Sequence, residues 1–274
     1  VQIMNGHPVQ YTEADTGTLP LRAAPDSGTI PRMTLPAATA TSFRTGLSGP
    51  LAELVSAWRL LEKPANPRES APPLIASAFE QLFEVMQRSD TGGPTADAIT
   101  EVGEYALELF EQALHWASHL DLPEVVDKLH SYTVAMARWV ADHGGELMTL
   151  EPVVDAFAHQ ANHTQDPGEL MTLYAAMSRT LRATATTIRA DIEKTNPGRP
   201  WRLLLMNRAI IATRTHQPDL MEEAFAALVE HLPDDAPGFF NQGMKQMDLL
   251  NYPPQVRAVM DRYHKKWSTN RSLH

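Results

Sequence analysis

The sequence predicts an all-α fold of about ten helices in antiparallel hairpins, and three observations carry that prediction. Apolar residues recur at helical spacing almost without a break from Gly46 onward. Pro- and Gly-rich clusters cut the pattern into pieces of helix length. No alternating β-branched run and no tight hairpin turn between apolar segments competes with this reading.

The elements follow in order. Residues 1–45 carry prolines at 8, 20, 25, 31 and 36 among many Thr and Ala residues, which deny them regular hydrogen-bonded structure. They read as an extended N-terminal tail that reaches across the helical body or a neighbouring subunit. Over 46–196 the reading is an acidic helical domain. Its first helix buries Leu51, Leu54, Val55, Trp58 and Leu61, and "KPANPRESAPP" stops it. The second aligns Ile75, Phe79, Leu82, Phe83 and Met86. "TGGPT" then breaks and restarts the chain into a long third helix near 95–120. Pro123 stands where a first-turn proline belongs, opening the fourth. "GGELMTLEP" precedes a fifth near 151–164, and Asp166 with Pro167 caps a sixth expected to run to about Lys194.

"TNPGRP" marks the best internal boundary, so 197–274 reads as a helical-repeat-like set of hairpins with helices near 200–215, 218–231, 237–250 and 253–268. Asn207 with Asn241, Ala209 with Gly243, and Ala224 with Ala258 share a 34-residue spacing. That gives a solenoid-like, TPR-like architecture by analogy only, because Arg208, Ala212 and Thr215 occupy the expected signature positions.

Composition then narrows the function. With no cysteine among 274 residues, disulfides, thiolate ligands, iron–sulfur clusters and cysteine nucleophiles are excluded within the chain, and a cytoplasmic location is the expectation. No apolar run approaches the roughly 20 residues of a membrane span, so no membrane insertion is expected. The N-terminal residues do not have the pattern of a secretory signal. The net charge of −10 is uneven. Residues 46–164 hold 18 acidic against 6 basic side chains, while 165–274 hold 12 against 14. An acidic surface repels phosphates, so nucleic acid is not an expected partner; a basic protein is.

Two stretches have the spacing of chemistry. In "EQALHWASHL", Glu111, His115 and His119 follow one another at intervals of four, and in "DAFAHQANH" Asp155, His159 and His163 repeat the pattern. Side chains four apart on a helix stand one above another, so each set forms a ladder that two imidazoles and a carboxylate would offer to one divalent ion. On a helical wheel the first ladder falls opposite Leu107, Phe110, Leu114 and Ala117. The second lies away from Val154, Phe157, Ala158 and Ala161. A buried bundle site needs ligands that point inward. Both ladders therefore read first as surface strips, and as ligands only if another helix covers them.

Elsewhere Arg199, Trp201, Arg202 and Arg208 gather positive charge and an aromatic ring at a helix start, and Tyr263, Lys265, Lys266 and Trp267 do so near the C-terminus. Arginines and aromatics are usual interface anchors, so both sets read as partner-binding residues. No catalytic signature stands out. The favoured reading is a non-enzymatic scaffold, adaptor or assembly subunit that binds another protein or itself and needs no cofactor. The first alternative is an all-helical metal-dependent enzyme or metalloprotein that uses the two ladders and a divalent metal. The second is a small-molecule-binding regulator.

Overall fold

A computed structural model of the chain describes residues 35–61 and 70–268. The expected tail up to residue 34 and the stop at 62–69 lie outside the described residues. Those residues form α1 (Ala40–Arg59), α2 (Pro72–Gly92), α3 (Ala96–His119), α4 (Pro123–Asp142), α5 (Glu151–His163), α6 (Pro167–Ala183), α7 (Thr186–Arg189), α8 (Pro200–Arg214), α9 (Pro218–His231), α10 (Ala236–Leu250) and α11 (Pro254–Ser268). Among them there is no sheet, and the fold is all-α. Consecutive helices α1–α2, α3–α4, α8–α9 and α10–α11 pack as hairpins.

Local chemistry explains the boundaries. Helix α1 starts at Ala40, ahead of the expected Gly46, because Thr39 stands extended and its hydroxyl accepts the Ser42 N–H. Thr95 caps α3 in the same way through Ala98. Pro72, Pro123, Pro200 and Pro218 each occupy the first turn of a helix, where a missing N–H costs nothing. Asp166 caps α6 as expected, its Oδ1 accepting the Glu169 N–H at 3.0 Å. Helix α6 does not reach Lys194. The Ala183 carbonyl accepts the Leu147 N–H at 2.8 Å and the Ala185 N–H donates to the Leu147 carbonyl at 3.0 Å. That two-bond clasp takes backbone groups a continuing helix would need, and the chain resumes only as the short α7.

The molecule divides into two compact units. One contains the described residues up to Gln160 together with Ser178–Ile192. Its core joins Phe43, Phe79, Phe110 and Tyr132 by ring contacts, with Phe79 meeting Phe110 edge-on at 5.1 Å. Asp90 ties three helices of this unit. It accepts the Ala40 N–H at the start of α1 and the Trp139 Nε1–H of α4 at 2.8 Å. Helices α3 and α4 approach closely at Gly103, where an added Cβ would stand 2.5 Å from the Val140 side chain. The other unit contains Ala161–Met177 and the described residues from Glu193 on. Phe225 is its hub, packing edge-on against Phe239, Phe240 and Tyr263.

Candidate metal centre

The second ladder lies on α5, a helix that is buried on more sides than its apolar stripe alone requires. Val153, Val154, Ala156, Phe157, Ala158, Gln160 and Ala161 are all buried. His159 follows them inward: its side chain is only 13% exposed and packs on α4. There the His159 Nε2 donates to Asp127 Oδ1 at 2.6 Å. The His130 ring stacks on the His159 ring, centroids 4.2 Å apart and planes 23° from parallel. One residue along α4, Ser131 donates to the Asp127 carbonyl at 2.9 Å and accepts the Gln160 amide at 3.1 Å. Asp127, His130 and Ser131 share one face of α4 by their spacing of three and four. That face holds the α5 imidazole in a fixed orientation.

His163 stands one turn beyond His159 on the same unbroken helix, so helical geometry alone places the two imidazoles on one side. This is the spacing by which a single helix offers two histidines to one zinc ion. One ligand atom from each of Asp127, His159 and His163 lies within 4.8 Å of the others. The last turn of α5 is also secured. The Arg214 guanidinium donates to the Ala161 and Thr164 carbonyls at 2.8 and 2.6 Å, satisfying the acceptors that a helix C-terminus leaves unpaired.

Asp155 is not a member of this group. Its carboxyl is pushed up from an ordinary 3.8 to about 6, first by burial and then by the negative charges of Glu151 and Glu111. The first ladder has a different setting. Glu111, His115 and His119 are exposed on α3, and both histidine rings lie edge-on to the buried Trp116. Glu104, Glu108 and Glu111 of the same helix line a cavity of about 440 Å³ with Tyr105, Leu107, Thr149 and Pro152. Glu104 caps the approach to α5, accepting the Met148 and Thr149 N–H groups at 2.9 and 3.1 Å. A carboxylate there complements the positive end of the α5 dipole.

Arg199, Arg202, Arg208 and Lys265, four of the basic residues singled out in the sequence, meet acidic partners within the chain. Arg199 and Arg202, both buried, reach the Asp235 carboxylate at 3.2 and 2.7 Å. Arg208, also buried, pairs with Glu223 and donates to Tyr174 Oη at 2.6 Å, its guanidinium 4.6 Å above that ring. Trp201 packs against His231. Further on, Tyr263 lies within the Phe225 cluster, Lys265 contacts Asp261 at 2.6 Å, Lys266 is exposed and Trp267 is half-buried.

Of the six residues read as possible ligands, the cluster contains His159 and His163. It adds Asp127, which the sequence reading did not include. Asp127 lies 32 residues before its imidazole partner, and its only sequence signal was a polar i, i+3, i+4 face interrupting the apolar pattern of α4. No protein-family model, no curated protein and no solved structure matches this chain. Among the described residues no helix is long and apolar enough to cross a membrane.

Proposed function

We propose that this chain is an all-helical metalloprotein that binds one divalent transition-metal ion through Asp127, His159 and His163. The observation that carries the reading is the convergence of two imidazoles and a carboxylate within 4.8 Å, on two helices already locked together by side-chain hydrogen bonds. Two nitrogens and one oxygen suit zinc first, with iron(II) and manganese(II) as competitors. Zinc about 2.0–2.2 Å from each ligand would set the donor atoms roughly 3.4 Å apart, a side-chain adjustment from where they stand. The His159 N–H that Asp127 accepts holds the pair together without metal. An ion entering between them displaces that proton. Gln160, beside the first histidine, turns its amide into the α4 contact rather than supplying a carboxylate base. The supported role is therefore metal binding, with the reaction, if one occurs, determined by what else reaches the ion.

The α8–α9 and α10–α11 hairpins support a solenoid-like reading of the C-terminal helices. An added Cβ at Gly243 would stand 2.6 Å from Met260 Sδ, so a small residue is needed where α10 meets α11.

Isothermal titration of zinc into tag-free, chelator-treated protein tests the metal reading. One ion per chain is expected, with binding lost in His159→Ala. Absence of binding, or binding that survives that substitution unchanged, overturns it.

A further inference from the structure

Structural zinc sites close the coordination sphere with four protein ligands, whereas sites that exchange ligands use three and leave one position open. Which kind this is depends on whether the chain has a fourth donor to give. Among the described residues His130 stacks its imidazole on His159, and that stack decides its role. An imidazole nitrogen donates in the plane of its ring. An ion bound to His159 therefore lies in that ring's plane, and the two ring centroids are 4.2 Å apart with their planes only 23° from parallel. The ion would stand off the plane of His130, whereas an imidazole nitrogen reaches a metal only within its own ring plane. His130 orients His159 and does not share its ion.

Among the described residues, three other polar side chains near the histidines are engaged elsewhere. The Gln160 amide is turned to Ser131, and the Thr164 hydroxyl is bonded to Glu169. Asp155, one turn before His159, faces the charges of Glu111 and Glu151. In contrast, the cluster opens outward. The Asp127 side chain is 58% exposed and His163 is exposed, so the side of the ion away from His130 meets solvent.

Given the metal reading above, on which this rests, we infer that the ion keeps an exchangeable fourth position. Water fills it at rest, and a small monodentate donor replaces that water, either an anion of the azide or carboxylate class or a neutral imidazole. Only the bound water leaves and only one donor atom enters, so no redox step is involved. A ligand of this kind would bring its donor lone pair to a Lewis-acidic ion on the protein surface.

Cobalt(II) titrated into the tag-free full chain gives visible d–d bands that report coordination, and azide is then added. The expected result is bands at one equivalent of cobalt, followed by a saturable shift and change of intensity with azide. The same response is expected in His130→Phe, which keeps an aromatic ring on His159 but has no ring nitrogen. Bands that azide and imidazole both leave unchanged overturn the open position while sparing metal binding. Loss of the bands in His130→Phe, with an unchanged melting temperature, makes His130 a ligand and also overturns it. Failure to see any bands, or equal bands in His159→Ala, overturns the metal reading itself.

Discussion

On α3, Glu111, His115 and His119 rise along a helix whose outer side meets water, and the histidines lie against the edge of Trp116. On α5, the same four-residue interval runs through a helix covered on most sides, and His159 is pressed onto α4. The difference between the two is made by the neighbour. The α4 face of Asp127, His130 and Ser131 gives the α5 ladder a third ligand, a stacking ring and a hydrogen-bonded brace. On α3 the buried Trp116 supplies an apolar edge instead. Spacing provides two aligned imidazoles; a second helix presenting the right group makes them a site.

That contrast can be tested in four steps of decreasing effect. His159→Ala removes the covered imidazole and should weaken zinc binding about 100-fold or more, roughly 2.7 kcal/mol, by titration calorimetry. If the loss is slight, the two ladders are equivalent after all. Arg214→Ala leaves the Ala161 and Thr164 carbonyls without their donor and should cost about 1–3 kcal/mol in urea denaturation. Faster amide exchange confined to the last turn of α5 would show that this cap is what holds His163 beside His159.

Asp155→Asn asks whether the start of the α5 ladder belongs to the metal or to the acidic neighbourhood of Glu111. The folded carboxyl titrates near 6 instead of 3.8, so the folded chain keeps a proton that the unfolded chain releases. Its contribution to stability is complete below the lower value and is lost as pH rises through the upper one. The asparagine variant should therefore be more stable than the parent above about pH 7, by on the order of 1 kcal/mol for a partly exposed group, and show no gain near pH 4. Zinc affinity should stay unchanged. The smallest effect belongs to the combined His115→Ala and His119→Ala variant, whose zinc affinity should change less than about twofold. A larger loss would return α3 to the site.

The helix ends were the most legible part of the sequence, because Pro123, Pro200 and Pro218 start helices by a rule internal to the residue. The end of α6 was not. The Leu147 clasp that interrupts it is a contact between distant segments, and Thr184 and Ala185 carry no local breaker. The site divides along the same line. His159 and His163 were visible through their spacing, and their helix was found where expected. The wheel placed His163 on the surface, where it is, but misread His159, because it assumes one buried face whereas α5 is also covered along the side that bears His159. Asp127 was hidden since its one local signal, a polar face shared with His130 and Ser131, does not say which distant helix will meet it.

The Leu147 clasp also has a consequence for the order in which the chain is made. Leu147 leaves the ribosome well ahead of Ala183 and Ala185, and the unit to which all three belong is interrupted by Ala161–Met177. Helices α1 to α4 can therefore gather around Phe43 and Phe110 while the peptide is still growing. They must then wait, with the Leu147 amide unbonded, for Ser178–Ile192 to emerge. Completion of the unit synthesised first is timed by a segment translated later, and a stall between those two points would leave a nascent protein with its hydrophobic centre formed and its closing bonds still absent.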